Sequence, residues 1–245
     1  MSSARNSEMA AIVNNIVYAY DTFTHKWADD RTRDWFLAQS PIPPIIIVIL
    51  YLKFVKDWGP KFMKDRKPFE LKWTLIVYNA FQVAFSVYLF KEMANAVWMY
   101  YMAKYTELLD TVFFVLRKKQ NQVSFLHLYH HCMMIVCGYI GTKFLAGGHG
   151  TFLGLINSFV HIIMYGYYLL AALGPQYQKY LWWKRHITRM QMVQFCMVFL
   201  HGLLILNKEC NYPKYVVVLL CPNAIFFYFL FYDFYQAAYD KSKKA

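Results

Sequence analysis

The stretch SFLHLYHHCMMIVCGYIGT, residues 124–142, combines a long apolar run with three histidines, at positions 127, 130 and 131. On a helix, His127, His130 and His131 are spaced i, i+3 and i+4, so their rings project within an arc of about 100°. Ionisable side chains at the depth of a lipid bilayer usually serve a function. The stretch therefore predicts a membrane-spanning helix with a polar seam that faces the interior of the protein.

The composition of the whole chain also predicts a membrane protein. Of its 245 residues, 58% are apolar and only 16% are charged, which is typical of an integral membrane protein. A helix needs about 20 apolar residues to span a bilayer. Seven segments are candidates: residues 41–55, 69–90, 96–116, 124–142, 151–173, 188–206 and 213–235. We therefore expect an all-α, polytopic protein with seven transmembrane helices.

Basic residues indicate how these helices are oriented. Alternate connections and the C-terminal tail hold fifteen of them: Lys56, Lys61, Lys64, Arg66, Lys67, Arg117, Lys118, Lys119, Lys179, Lys184, Arg185, Arg189, Lys241, Lys243 and Lys244. The other connections hold only Lys91, Lys143, Lys208 and Lys214. The positive-inside rule places the first group in the cytosol. The chain then divides into a lumenal N-terminal segment (1–40), a seven-helix domain (41–235) and a cytosolic basic tail (236–245).

The net charge of +12 does not require nucleic acid as a partner. A basic cytosolic rim is equally suited to anionic lipid headgroups or to a substrate that carries phosphate. We therefore expect the lipid bilayer as a partner, and no nucleic acid.

Polar side chains recur at helical spacing in three further predicted spans. These stripes are Lys104, Glu107, Asp110 and Thr111; Asn157, His161, Tyr165 and Tyr168; and Thr188, Gln191 and Gln194. Such groups need partners where water is absent. The repetition predicts one shared interior site, although hydrogen bonds that merely join helices would explain some of these residues as well.

The histidine cluster is compatible with two kinds of chemistry. One is metal binding, since imidazole is a good iron ligand; a di-iron site would need histidines from several boxes, however, and the other histidines are isolated. Binding of a single metal ion stays open as an alternative. The other is acid–base or nucleophilic chemistry, which an imidazole can perform near neutral pH. We favour the second and expect no metal.

Four ordered motifs resemble those of one enzyme family. They are KxxExxDT from Lys104 to Thr111, QxxxLHxxHH from Gln122 to His131, HxxMYxYY from His161 to Tyr168, and TxxQxxQ from Thr188 to Gln194. With them, the chain resembles the ELO family of very-long-chain fatty acid elongases, and its intervening segments resemble the arthropod branch. One departure is the connection at residues 91–96, which is shorter than in the family and removes a natural partner for Cys210.

The resemblance implies a 3-ketoacyl-CoA synthase, which condenses a long-chain acyl-CoA with malonyl-CoA and releases CO2 and CoA. The fatty chain would occupy a tunnel between the helices, and no cofactor is expected besides these two substrates. The expected catalytic residues are His127, His130, His131, His161, Glu107 and Asp110. The expected substrate-binding residues are Lys104, Asn157, Tyr165, Tyr168, Gln191, Gln194, Arg117, Lys118 and Lys119.

For the mechanism, the resemblance leaves two schemes open. In one, His130 attacks the acyl thioester, His161 holds or polarises the thioester carbonyl, His127 and His131 orient the cluster, and a carboxylate fixes their tautomers. In the other, acyl-CoA and malonyl-CoA condense directly, with the histidines as general base.

The resemblance also implies location and partners. Lysines three and five places from the end, as in dilysine retrieval signals, and the family's usual compartment predict the endoplasmic reticulum membrane. The resemblance leaves open whether the chain forms a homodimer. The 3-ketoacyl-CoA reductase, dehydratase and enoyl reductase of the elongation cycle are expected partners. Two alternatives remain: a membrane di-iron desaturase or hydroxylase, and a seven-span receptor, which would not explain polar stripes on several spans.

Overall fold

A computed structural model describes residues 2–32, 34–92 and 97–239. Its α-helices are α1 (Ser2–Asp21), α2 (Ile42–Lys53), α3 (Gly59–Met63), α4 (Lys72–Glu92), α5 (Val97–Thr106), α6 (Leu108–Leu116), α7 (Phe125–Phe144), α8 (Gly150–Leu173), α9 (Lys184–Leu203) and α10 (Tyr215–Tyr239). Two π-helical turns, Thr22–Lys26 and Phe54–Trp58, and three 3₁₀ turns join them. These ranges contain no strand, so the predicted all-α class is confirmed.

Each of the seven predicted spans coincides with helix. The third is divided at Glu107 into α5 and α6, and the other six overlap α2, α4, α7, α8, α9 and α10. By length and composition alone, three helical stretches of the described chain could cross a membrane: Gly150–Leu173, Lys184–Leu206 and Tyr215–Tyr239. Two sequence predictions lie outside the described residues: the lysine signal in the tail and most of the short connection after α4.

Local sequence explains where several helices begin and end. The first turn of α2 contains Pro43 and Pro44, where the missing N–H groups have no helical partner to lose. Ser124 caps α7 and its hydroxyl accepts a hydrogen bond of 3.2 Å from the amide of His127. Helix α8 is followed by Gly174, whose φ of 125° is rarely adopted by residues with a side chain.

The long helices pack in pairs. Helix α8 lies against both α4 and α9, α9 packs along α10, and α5 packs along α7. An apolar core joins α2, α5, α6 and α7 through Tyr51, Tyr101, Val115 and Ile135. The three histidines of α7 therefore lie between the group formed by α2, α5 and α6 and the group formed by α8, α9 and α10.

The segment before α2 covers the C-terminal end of α7. The Asp29 amide donates to the Lys143 carbonyl over 2.8 Å, and the Thr32 hydroxyl donates to the Thr142 carbonyl over 2.5 Å. Arg31 donates to the Ala146 carbonyl over 2.6 Å, and its guanidinium lowers the pKa of the neighbouring Asp29 carboxyl. The first two donors satisfy carbonyls in the last turn of α7, which the end of a helix leaves without intrahelical partners.

Replacing the buried Thr32 by valine should destabilise this cover. The substitution keeps the shape of the side chain but removes the donor to the Thr142 carbonyl, which costs about 1–3 kcal/mol when the acceptor stays buried. For a chain of this size, that loss lowers the melting temperature by several degrees, about 2–4 °C per kcal/mol. Thermal unfolding of the detergent-solubilised protein measures it. Thr74→Val, at an exposed threonine of α4, is the control, and equal melting temperatures for the two variants would contradict the proposed contribution.

Candidate functional site

The histidines of α7 are held by groups from other helices. The Nε2 atom of His127 lies 2.7 Å from the Thr111 hydroxyl on α6, which in turn lies 2.6 Å from the Tyr51 hydroxyl on α2. The His131 ring packs edge-on against those of His127 and His130, with ring centroids 4.4 and 5.4 Å apart. A chain of hydroxyls therefore orients His127, where the sequence predicted a carboxylate.

A buried ionic cluster lies between α5 and α8. Lys104 donates to Glu107 Oε1 over 2.7 Å, and His161 Nδ1 lies 3.1 Å from the same oxygen. The side chains of Lys104, Glu107 and His161 are all at most 7% exposed. Buried charges need both a counter-charge and hydrogen bonds. The arrangement satisfies this need because Lys104 also donates to the Asn157 carbonyl oxygen over 2.8 Å.

Asn157 connects this cluster to its surroundings and indicates the tautomer of His161. Its carbonyl oxygen also accepts from the Tyr100 hydroxyl over 2.9 Å, and its amide nitrogen lies 3.3 Å from His161 Nε2. Since the amide donates, Nε2 accepts and the proton of a neutral His161 belongs on Nδ1, facing Glu107. The second carboxylate oxygen, Glu107 Oε2, is buried and has no hydrogen-bond partner among the described residues.

Asp110 belongs to a second network on the side of α4. Tyr165 donates to its carboxylate over 2.7 Å, and the Tyr165 ring packs edge-on against Tyr78 at 6.1 Å. Tyr78 accepts from Gln82 over 2.9 Å. The two carboxylates predicted as one group are thus divided between two networks.

An apolar cavity extends from His130 between α5, α7, α8, α9 and α10. Three carboxamides, Asn157, Gln194 and Asn223, line it together with His130, and its remaining lining is mainly apolar. Gln194 is buried, and its carbonyl oxygen has no hydrogen-bond partner in the described part of the chain. The ring of Phe227, 5.5 Å from that of His130 between centroids, lies beside the polar part of the cavity. An imidazole, amides and an apolar cavity are thus brought together.

Other predicted residues lie farther from the cavity lining. Tyr168 packs edge-on against Tyr165 at 6.0 Å, and Gln191 lies 3.6 Å from the sulfur of Met164. The basic run Arg117, Lys118 and Lys119 follows the end of α6. It precedes α7 by only a short connection and so lies near the end of that helix that carries the histidines.

Several site residues were missed by the sequence analysis. Tyr51 and Tyr100 have no motif that would single them out among many tyrosines. Asn223 did have a signal, because it is a carboxamide in an apolar run directly after Pro222, the proline inside α10. It accepts from Tyr129 over 3.3 Å and donates to the Leu219 carbonyl over 2.7 Å.

Comparison with known proteins identifies relatives of this chain. The model of the ELO: GNS1/SUR4 family matches residues 36–97 and 91–245. Very long chain fatty acid elongase 7 of Drosophila melanogaster is 47% identical, with 87% of this chain and 74% of that protein aligned. Very long chain fatty acid elongase 4 of Mus musculus is 43% identical, over 98% of this chain and 87% of that protein. A very long chain fatty acid elongase of Aedes aegypti is 43% identical, over 96% of this chain and 73% of that protein.

The family match also contains information about the connection after α4. Its two parts meet and overlap at residues 91–97, where the sequence analysis noted a short connection. The alignments to the mosquito and mouse proteins extend over 262 and 274 positions, more than the 245 residues of this chain. The relatives therefore have positions that this chain lacks.

Proposed function

The chain belongs to the ELO family and is a fatty acid elongase, a multi-pass membrane enzyme, and from that premise we propose that it acts as a 3-ketoacyl-CoA synthase. It condenses a long-chain acyl-CoA with malonyl-CoA to a 3-ketoacyl-CoA two carbons longer, and releases CO2 and CoA. The alternative of a di-iron desaturase is not favoured. The similar proteins are elongases.

The observation that carries the proposal is the position of His130. It is the histidine of α7 that lines the apolar cavity, together with carboxamides and next to the aromatic ring of Phe227. A fatty acyl chain matches such a cavity, because its methylenes are removed from water while the thioester stays beside polar groups. His127 is held by Thr111, whereas His130 faces the space where an acyl group would lie.

In the covalent scheme, a ring nitrogen of His130 attacks the thioester carbonyl carbon. The carbon–sulfur bond breaks, CoA leaves as the thiol after taking up a proton, and an acyl-imidazole remains. Malonyl-CoA then loses CO2, and the electron pair of the broken carbon–carbon bond attacks the acyl carbonyl. The carbon–nitrogen bond breaks, and the released ring nitrogen takes up a proton from solvent, which restores neutral His130. Splitting one difficult step into two lowers each barrier. In the competing direct scheme, the same ring acts only as a general base.

The surrounding residues take supporting roles in this proposal. Both ring nitrogens of His161 already have protein partners, so we assign it to the ionic cluster and not to direct polarisation of the thioester carbonyl. Gln194 and Asn223 lie closer to the reacting position, because both line the cavity with His130. A carboxamide N–H there is suited to the oxygen on which negative charge develops.

The placement of the chain in the membrane is part of the proposal. All seven predicted spans are helical, and the basic connections support a lumenal N-terminus and a cytosolic C-terminus in the endoplasmic reticulum membrane. In that orientation, Arg117, Lys118 and Lys119 lie on the cytosolic side, where they would bind CoA phosphates. The 3-keto product requires reduction, dehydration and a second reduction, so the three enzymes of those steps are proposed partners, and a homodimer is proposed as well.

The test is a condensation assay on purified protein in detergent or vesicles. Malonyl-CoA labelled in its methylene carbon is supplied with a series of acyl-CoAs, and the products are separated by chain length. We expect label in 3-ketoacyl-CoA two carbons longer than the substrate. A folded, monodisperse preparation that incorporates no label with any acyl-CoA would contradict the proposed reaction.

A further inference from the structure

The cavity that His130 lines also reaches Tyr212, a tyrosine in the connection between α9 and α10. One face of α7 lines it through His130, Met134, Cys137, Gly141 and Leu145, which follow each other at three- or four-residue steps. At the far end, the lining consists of Leu145, Gly150, Tyr212 and Val216. The Tyr212 hydroxyl lies 3.4 Å from the Leu145 carbonyl, which places this ring at the end of α7.

Two glycines make room for this tyrosine. A Cβ atom at Gly150 would lie 2.8 Å from the Tyr212 hydroxyl, and one at Gly148 would lie 2.9 Å from its ring. Gly148 also has a φ of 60°, which disfavours other residues. Glycine at positions 148 and 150 is thus explained, because a side chain at Gly148 or Gly150 would displace the Tyr212 ring.

The connection that carries Tyr212 is itself fixed. The Lys214 ammonium donates to the carbonyls of Ile205, Asn207 and Cys210 over 2.5, 2.5 and 2.7 Å. These three hydrogen bonds tie Lys214, at the end of the connection, back to the beginning of the connection. Burial raises the pKa of the Tyr212 phenol, so the group that ends the apolar cavity is neutral.

We propose that Tyr212 is the residue that limits the length of the acyl chain, by closing the cavity opposite His130; this assignment rests on the proposed condensation. The depth follows from helix geometry. At about 1.5 Å per residue, His130 to Leu145 spans about 22 Å along α7, and Val216 to Phe227 about 17 Å along α10. An extended chain advances about 1.2 Å per bonded atom. Along these helices, the lining residues therefore span the length of an extended chain of about 14–18 carbons.

Gly141 offers a way to shorten the same cavity. It lines the cavity one helical turn before Leu145, and a Cβ atom there would meet nothing within 4 Å. A leucine at this position would thus fill the cavity without displacing the backbone. The lost depth is about 6 Å, the length of four helical residues, or about five carbons at 1.2 Å each.

The experiment compares two variants that move the limit in opposite directions. Condensation is measured with saturated acyl-CoAs that differ by two carbons, and each rate is divided by that of the shortest substrate. Tyr212→Ala should extend the longest accepted chain by at least two carbons, whereas Tyr212→Phe, which keeps the ring, should leave the limit in place. Gly141→Leu should shorten it by about four carbons, as whole two-carbon steps within the lost depth. Tyr215→Ala, at the exposed first residue of α10, is the control for basal activity.

The outcomes separate this inference from the proposed function. If the unaltered enzyme condenses no acyl-CoA, the proposed function fails before Tyr212 is tested. If the unaltered enzyme is active and Tyr212→Ala keeps its limit, Tyr212 does not close the cavity. Should Tyr212→Ala fail to give monodisperse protein, an unchanged limit in Gly141→Leu would overturn the assigned path of the acyl chain, and a shortened limit would support it.

Discussion

Replacing His130 by alanine is expected to lower the rate of condensation at least about 1,000-fold, because in either chemical scheme the reacting base or nucleophile is lost. The fold should persist, since the His130 ring makes aromatic contacts with His131 and Phe227, whereas the neighbouring His127 forms the hydrogen bond to the hydroxyl chain from α2 and α6. The rate is measured with labelled malonyl-CoA at saturating acyl-CoA, on protein whose melting temperature is recorded in parallel.

His25 provides the control for His130. It lies in the N-terminal part of the chain, outside the described site, with its side chain 58% exposed. His25→Ala should retain the full rate. A His130→Ala enzyme that condenses within tenfold of the unaltered rate would show that another group performs the chemistry.

Replacing Glu107 by glutamine should have the largest effect on stability. The change keeps the size of the side chain but removes the negative charge that Lys104 and His161 face inside the protein. Leaving a buried charge unpaired costs about 3–5 kcal/mol, which at about 2–4 °C per kcal/mol lowers the melting temperature by at least about 6 °C. Thermal unfolding in detergent measures the change, and Glu70→Gln, at an exposed glutamate before α4, is the control.

A double variant distinguishes lost charge pairing from lost shape. Adding Lys104→Met to Glu107→Gln removes the unpaired cation, so most of the lost stability should return. Condensation should stay impaired, because Asn157 loses the Lys104 donor and His161 loses the Glu107 carboxylate. A double variant that is no more stable than Glu107→Gln alone would contradict the assigned ion pair. It would indicate that the packing of Glu107 stabilises this part of the protein.

Much of the fold could be predicted because membrane helices have a strong sequence signature. Long apolar runs located the helices α2 and α4–α10, but not α1 or α3, and polar residues at helical spacing identified the inward faces of α5, α7, α8 and α9. The division of the third segment at Glu107 was not predicted. Apolar runs give no sign of such a break, and the residue at the break is also the centre of the ionic cluster.

Pairing between helices was harder to predict than their faces. Sequence spacing shows which residues share a face, but it does not give the rotation or depth of one helix relative to another. The structure therefore separates Glu107 from Asp110, pairs His127 with Thr111, and adds Tyr51 from α2. The end of the cavity depends on a connection, where Tyr212 has no periodic pattern to reveal it.

The most direct test of the chemistry assigned to His130 omits malonyl-CoA. Purified enzyme is mixed with a long-chain acyl-CoA alone; released CoA is titrated with a thiol reagent, and the protein is digested and analysed by mass spectrometry. The covalent scheme predicts a burst of about one CoA per active enzyme and an acyl group on the peptide that contains His130, both absent in His130→Ala. Intact acyl-CoA and unmodified peptide, from enzyme that condenses normally once malonyl-CoA is added, would contradict an acyl-histidine intermediate.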